Sequence, residues 1–117
     1  MSDLNVSIVE GRLTKSAELK HLNNANRTAV CTFCIANNRS HKGDNGEWID
    51  DVSYFDCELW GKYGETMASK LVKGEKVTIV GRLDQDRWEK NGQYSSRVKI
   101  TVEQLHMVPR KTNTGTN

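Results

Sequence analysis

The chain has 117 residues, of which 36% are hydrophobic and 27% charged, and its formal net charge at pH 7 is +2. This length favours one domain that builds its core without a metal or a disulfide framework, and so small a net charge does not by itself indicate a nucleic-acid partner. No apolar run approaches the length of a membrane span, and the first residues do not resemble a signal peptide. We therefore expect a cytoplasmic protein with no membrane association.

Positive charge is concentrated in the second half of the chain. Residues 1–60 contain six Lys and Arg against nine Asp and Glu, whereas residues 61–117 contain eleven against six. A basic half gives modest support to a polyanionic partner, although an ordinary solvated surface produces the same pattern.

The three cysteines leave an odd thiol and suit a reducing compartment. Cys31 and Cys34 have the C-x-x-C spacing of zinc and redox sites, but they lie in an apolar run that is typical of a strand. Because residues three apart in a strand point to opposite faces, these two sulfurs are poorly placed to share an ion. We expect thiols that fill a core, with no metal site and no cofactor.

Two strands are predicted in the first third of the chain. Residues 5–13 form the first, and Gly11 interrupts them where a bulge or a sharp bend would fit. An irregular connection is expected over residues 14–26, because they end in a cluster of turn residues. Residues 28–37, which are apolar and β-branched, form the second strand.

An excursion over residues 38–48, rich in turn formers, precedes the third strand, residues 49–60. The excursion carries rings and cations where a core would not hold them, at Arg39, His41, Lys42 and Trp48. Alternation divides the third strand into an apolar face, with Phe55, Cys57 and Leu59, and a second face, with Val52, Tyr54, Asp56, Glu58 and Trp60. Rings on a polar face suggest a stacking surface, and the alternative is packing against a neighbouring strand or subunit.

The period then changes from two to that of a helix. Apolar residues recur at helical spacing over residues 62–73, two lysines, Lys70 and Lys73, fall in the predicted last turn, and Gly74 follows. The sequence therefore predicts a helix of about three turns, whose apolar stripe covers the core.

A long hairpin is predicted over residues 77–102. Asn91 and Gly92 stand between two alternating runs, and this pair favours a type I′ turn because both residues tolerate positive φ. The turn sets a register in which Trp88 faces Ser95, Asp86 faces Arg97, Asp84 faces Lys99 and Leu83 faces Ile100. One side then carries Leu83, Val98, Ile100 and Val102, and the other carries Arg82, Trp88, Arg97 and Lys99.

Three strands, one helix and two strands joined by a long hairpin form the element order of the OB-fold, an all-β five-stranded Greek-key barrel. The last strand continues to residue 108 and ends at Pro109. We therefore predict one OB-fold domain over residues 1–109, with residues 110–117 as the start of a flexible polar tail.

The chain resembles the bacterial single-stranded DNA-binding protein family over residues 5–109. The motifs that carry this resemblance are spread along the chain: Gly11-Arg-Leu-Thr14, Glu18-Leu19, Phe33-Cys-Ile-Ala36, Tyr54-Phe55, Leu59-Trp-Gly-Lys62, Leu71-Val-Lys-Gly74 and Val80-Gly-Arg-Leu83 with Trp88.

The resemblance implies a homotetramer, with a dimer as the other possibility, that binds single-stranded DNA without sequence preference in replication, recombination and repair at the nucleoid. Its base-stacking rings would be Tyr54, Trp60 and Trp88, with His41 and Trp48 as further candidates. The candidates for phosphate contacts are Arg39, Lys42, Lys62, Lys73, Arg82, Arg97 and Lys99.

Three departures from the family affect this reading. His41 stands about where the family often has a stacking Trp, and Asp56 and Glu58 stand on the expected binding face, where they should weaken affinity or shift the path of the strand. The family also usually continues through a linker to an acidic tip that recruits other proteins. Replication and repair proteins are therefore expected partners only of a longer native chain.

Two binding functions compete with this reading. A tail-less primosomal replication protein shares the fold but need not keep Trp60 and Trp88, and an OB domain for proteins or oligosaccharides would not need cations beside its rings. An enzyme is not expected, because there is no Gly-rich phosphate loop and no histidine stands beside a nucleophile in the sequence.

Overall fold

The structure, a computed structural model, describes residues 2–109; the predicted tail, residues 110–117, lies outside them. Within the described residues the chain forms six strands and one helix. In order they are β1 (Ser7–Leu13), β2 (Glu18–His21), β3 (Ala29–Lys42), β4 (Trp48–Trp60), α1 (Gly61–Ala68), β5 (Lys76–Lys90) and β6 (Gln93–Met107).

Five of the strands close into a barrel, which confirms the predicted fold. The sheet runs β1-β5-β6-β4-β3, and β1 also pairs with β3, through Arg12 with Ala36 and Leu13 with Ile35. All of these pairings are antiparallel except that of β4 with β6. The sixth strand, β2, lies outside the ring and pairs with β3 alone.

Gly11 stands one residue before Arg12, the position at which β1 passes from β5 to β3. A Cβ atom at Gly11 would lie 2.7 Å from the carbonyl oxygen of Ala36. Since that distance is shorter than real Cβ contacts, only glycine lets the two strands approach closely enough to close the barrel.

Alternating apolar residues of the strands fill the barrel, and the helix covers one end. Among the described residues the largest fully buried side chains are Ile35, Leu59, Leu71, Ile79, Ile100, Val77, Cys31 and Cys57. Met67 and Leu71 join this core, so the predicted role of the apolar stripe is confirmed. No helix within residues 2–109 has the length and hydropathy needed to cross a bilayer.

The cysteines lie on the two sides of the sheet, as alternation predicts. Cys31 and Cys57 are buried, and Cys34, on the outer face of β3, is half-buried. Burial raises the pKa of Cys31, and it raises the pKa of Cys57 to about 12. The two buried thiols therefore act as small apolar side chains in the core.

Two predictions about connecting segments are wrong. Residues 18–21, expected to be irregular, form β2, whose four side chains are all exposed. Residues 38–48, expected to be an excursion, are largely strand, because β3 and β4 stay paired out to Lys42 and Trp48 and leave only residues 43–47 as a loop. We call the projecting part of this pair, residues 37–53, the ribbon.

The helix is shorter than predicted. It ends at Ala68, so Lys70 and Lys73 lie beyond it in turns. The chain leaves the helix there because Leu71 enters the core, where its carbonyl accepts a hydrogen bond from the Ala17 amide at 2.8 Å. Gly74, with φ of +89°, turns the chain towards β5 and is not the helix stop that the sequence suggested.

The register predicted for the hairpin is confirmed pair by pair, and Asn91 and Gly92 have φ of 54° and 79°. We call the part that projects beyond the barrel, residues 84–99, the hairpin arm. Two side chains on the predicted apolar side near its base, Leu83 and Val98, remain 47% and 57% exposed because no further strand covers them there.

A β-bulge, which no sequence pattern predicted, lies near the end of β6. Val80 pairs with Gln104 and Gly81 with Val102, so Glu103 is the extra residue. The bulge reverses the alternation, and it explains why both Val102 and Leu105 are buried although they are three residues apart.

Candidate nucleic-acid interface

Three aromatic side chains lie along one face of β4. The pairing of β3 with β4 runs without a bulge, so Trp48, Tyr54 and Trp60 share the outer face while Cys57 and Leu59 point into the barrel. These rings are 71%, 64% and 39% exposed. Rings this accessible on an outer sheet surface have the geometry that base stacking needs.

Trp60 lies beside the base of the hairpin. Its Nε1 donates a hydrogen bond to Oε1 of Glu58 at 3.2 Å, which fixes the indole at the end of β4. A cleft of about 410 Å³ separates this ring from the base of the hairpin. The cleft is lined by Glu58, Trp60, Arg82, Asp84, Gln85, Asp86, Lys99 and Thr101.

A fourth ring, Trp88, extends the aromatic surface along the hairpin arm. It is 47% exposed and pairs with Ser95, which places it on the same face as Arg97 and Lys99. Tyr94 pairs with Glu89, so its ring, 84% exposed, lies on the opposite face of the arm. The structure therefore places Trp88, and not Tyr94, on the side that continues from Trp60.

Carboxylates hold Lys99, one of the predicted phosphate contacts. Its Nζ lies 2.8 Å from Oε1 of Glu58 and 3.0 Å from Oδ1 of Asp86. Burial acts to lower the pKa of Lys99, but the hydrogen bonds and charges of those two carboxylates outweigh it and hold this pKa above its usual value. The ammonium group is charged and already occupied.

The two arginines of the hairpin are held in the same way. Arg97 reaches Oδ2 of Asp86 at 3.6 Å and Oδ2 of Asp56 at 3.9 Å, and Arg82 reaches Oδ2 of Asp84 at 3.1 Å. A hydrogen bond from Thr101 lowers the pKa of Asp84, against a smaller effect of burial, and Arg82 lowers it further. The predicted phosphate contacts on this face are therefore present but paired with acids.

The predicted ribbon residues divide between its two faces. Lys42 pairs with Trp48 and lies on the face that carries the rings. Arg39 and His41 lie on the other face, where Oδ2 of Asp51 is 3.6 Å from the Arg39 guanidinium and 3.2 Å from Nδ1 of His41. The structure thus separates Arg39 and His41 from the aromatic surface.

The last two predicted cations are exposed beside the barrel. Lys62 is the second residue of α1, next to the end of β4, and Lys73 lies in the turn before β5. Among residues 2–109, neither these two nor Lys42 forms an ion pair with a carboxylate.

Comparison with known proteins identifies the family. The model of the single-strand binding protein family matches residues 4–108. The chain belongs to this family. Its members are DNA-binding proteins and not enzymes, in agreement with the prediction from the sequence.

Three curated members of the family, all named single-stranded DNA-binding protein, illustrate the similarity. The Treponema pallidum (strain Nichols) protein is 39% identical over 108 residues, 92% of this chain and 60% of that protein. The Borreliella burgdorferi protein is 39% identical over 116 residues, 97% of this chain and 76% of its own length. The Aquifex aeolicus protein is 36% identical over 107 residues, 92% and 71% of the two chains.

Solved structures of single-stranded DNA-binding proteins have the same fold. A deletion mutant of the Thermus aquaticus protein superposes with a TM-score of 0.80 at 24% identity, over 91% of this chain and 51% of that one. The Plasmodium falciparum protein in complex with single-stranded DNA superposes with a TM-score of 0.81 at 22% identity, over 93% and 98% of the two chains.

The barrel of this single-strand binding protein family member also has a groove on its surface that was not predicted from the sequence. It has a volume of about 320 Å³ and lies beside the outer face of β3 and β4. Two unpredicted cations, Lys15 and Lys20, line it together with Cys34, Asp56 and Arg97. The only sequence signal was the short alternation of Glu18 to His21, in which Lys20 shares a face with an acid.

Proposed function

We propose that this chain binds single-stranded DNA without sequence preference and protects it during replication, recombination and repair. The observation that carries the proposal is the row of exposed rings on one side of the molecule, Trp48, Tyr54 and Trp60 along β4 and Trp88 on the hairpin arm. Every base has a π face, so stacking on such rings is tolerant of sequence. Membership of the single-strand binding protein family supports the same function.

The strand would be held by these rings and by cations that are free to meet phosphates. Lys42 lies beside Trp48, and Lys62 follows Trp60 by two residues, so both are placed to accompany a strand that stacks along β4. We include Lys73, Lys15 and Lys20 as further contacts at the edges of this surface. Arg39 and His41 would act only if the strand passed around the ribbon.

Self-association would involve the start of the chain. Leu4, Val6 and Ile8 alternate on one side and are 93%, 61% and 68% exposed, and β1 pairs with β3 only at Arg12 and Leu13. The edge of β1 before these two residues is therefore open, and a second copy would pair with it and cover the apolar side chains. We propose a homotetramer; a stable dimer in light scattering would favour the primosomal relative.

The domain bounds, the protein partners and the location complete the proposal. We propose that residues 1–109 form the binding domain and that residues 110–117 begin a polar tail. The chain spans 60% of the Treponema relative and 76% of the Borreliella relative, so contacts with replication and repair proteins would belong to a longer chain. The protein would act at the nucleoid, in the cytoplasm.

Titration with oligo-dT tests the function directly. We expect the Trp fluorescence to be quenched, and we expect Trp88→Ala or Trp60→Ala to weaken binding about tenfold or more, since each stacked base contributes roughly 1–3 kcal/mol. Tyr94→Ala, on the opposite face of the same arm, is the matched control and should leave the affinity unchanged. Unchanged affinity in both tryptophan variants, measured by anisotropy of a labelled oligo-dT, would exclude the stacking model.

A further inference from the structure

Five charged side chains form a continuous network on the aromatic face, next to the separate ion pair of Arg82 with Asp84. Three are carboxylates and two are cations: Asp56, Glu58, Asp86, Arg97 and Lys99. Both cations of this charge network have carboxylate partners within 4.0 Å, and the contacts of Lys99 with Glu58 and Asp86 and of Arg97 with Asp86 are the shorter ones, so neither cation is left over for an external anion.

We propose that the carboxylates of the charge network, Glu58 and Asp86 above all, are specificity-determining residues: they occupy the cations in place of phosphates, so that this face accepts the bases of a strand and excludes its backbone. The proposal rests on the function proposed above and adds which part of the nucleotide lies on the face.

The contacts of Lys99 explain why this face disfavours a phosphate. The ammonium has three N–H donors, and Glu58 at 2.8 Å and Asp86 at 3.0 Å accept from two of them, so a phosphate would have to approach between two carboxylates or displace one of them. The side chains of Lys99 and Glu58 are only 12% and 13% exposed, so displacement would leave a carboxylate largely buried without its partner. Removing one member of a buried ion pair is strongly unfavourable, because the charge that remains has lost its solvation as well.

A base meets no such obstacle. Trp60 and Trp88 are 39% and 47% exposed beside the charge network, and a base that stacks on either ring breaks none of its ion pairs. Polyanions that carry no bases would find only a self-neutralised surface here. Phosphate contacts are left to cations outside the network, such as Lys42 and Lys62.

The test compares two ligands of equal charge, oligo-dT and an abasic deoxyribose phosphate strand of the same length. Asp86→Asn removes an acid that holds Arg97 and Lys99. We expect it to tighten the binding of both strands by the same factor and to steepen the plot of log Kd against log salt by about 0.7, the value for one added phosphate contact on a single strand. Asp3→Asn, which removes an exposed acid without an ion pair in residues 2–109, is the control for net charge and should leave the slope unchanged.

A second variant distinguishes released cations from a general change of charge. Asp86→Asn combined with Arg97→Gln restores the net charge, and we expect the slope to return close to that of the wild type. A slope below the wild-type value by about 0.7 would show that Arg97 already holds a phosphate, which overturns the proposal. Equal slopes for Asp86→Asn and Asp3→Asn would also overturn it.

Two further measurements keep the outcome clear. Thermal unfolding checks that Asp86→Asn folds, and Asp56→Asn, which removes a half-exposed partner of Arg97, repeats the release at a second position. Failure of the wild type to bind oligo-dT would refute the proposed function. Binding that depends on Trp88 but does not respond to Asp86→Asn would refute only the role of the charge network.

Discussion

The ribbon and the hairpin arm are both antiparallel pairs that project from one barrel with a Trp on the outer face, yet they place their charges differently. In the hairpin arm, Arg97 and Lys99 share the face of Trp88 and are held by acids. In the ribbon, Lys42 beside Trp48 has no ion pair among the described residues, and Asp51 holds its partners on the other face. Whether a cation beside a ring is free to bind a phosphate therefore depends more on the acids across the strand from it than on the number of cations.

Removing the Trp of the ribbon and the Trp of the hairpin arm together should cause the largest loss of affinity for oligo-dT. Trp48→Ala combined with Trp88→Ala should weaken oligo-dT binding about a hundredfold or more, because two stacked bases contribute roughly 1–3 kcal/mol each. Anisotropy of a labelled strand measures it. If the double variant binds oligo-dT as tightly as the weaker-binding of the two single variants, the ribbon and the hairpin arm hold the same base and do not act as separate contacts.

The turns at the ends of the ribbon and the hairpin arm each contain a glycine with positive φ. Gly92 of the hairpin arm and Gly46 of the ribbon have φ of 79° and 84°, and a Cβ atom at either meets no neighbour within 4 Å. Gly92→Ala and Gly46→Ala should therefore each strain only their own arm, by roughly 1–2 kcal/mol. We expect faster amide hydrogen exchange in the altered arm alone; a loss of protection in both arms would show that they are coupled.

Acid should weaken the hairpin arm through Asp84. Since the folded-state pKa of Asp84 is below its ordinary value of about 3.9, the carboxylate stabilises the fold above that value and loses this contribution as pH falls through the lowered pKa. The difference in free energy of unfolding between the wild type and Asp84→Asn should therefore shrink as pH falls from about 5 through the lowered pKa of Asp84. Chemical denaturation across this range measures it, with the ribbon variant Asp44→Asn as the control for loss of a charge. A constant difference would contradict the assignment.

The smallest effect distinguishes free from occupied cations. Lys42→Gln in the ribbon should reduce the salt dependence of oligo-dT binding by about 0.7 in log–log slope, the value for one lost phosphate contact. Arg82→Gln changes the net charge equally, but its guanidinium is held by Asp84 at 3.1 Å, so the slope should not change. The opposite ranking would mean that the hairpin, and not the ribbon, holds the backbone.

Sequence alone was sufficient where a strong local rule applies. Asn91 and Gly92 set the register of the hairpin to the residue, and alternation placed Tyr54 and Trp60 on one face. It failed where exposed polar residues pair with one another, as in β2 and the ribbon, because such strands bury nothing and show no hydrophobic period. The bulge at Glu103 likewise depends on the partner strand.

The contacts of the charge network could be predicted only in part. Register placed Asp84 opposite Lys99 and Asp86 opposite Arg97, and the second pair does meet, at 3.6 Å. Lys99, however, contacts Asp86 and Glu58, because strand twist makes diagonal neighbours accessible and β4 lies alongside. A strand from elsewhere in the chain supplies Glu58, which local patterns do not reveal.

The pairing of β1 with β5, which closes the barrel, affects the order in which the fold can form during synthesis. β1 leaves the ribosome before the other strands of the barrel, but its partners in β5 lie 64 to 74 residues later, from Arg12 with Lys76 to Ser7 with Gly81. The pairs β3–β4 and β5–β6 are joined by short loops and form locally, whereas β1 closes the ring late, across a long loop. During synthesis β1 therefore remains unpaired with β5 until β5 has been made.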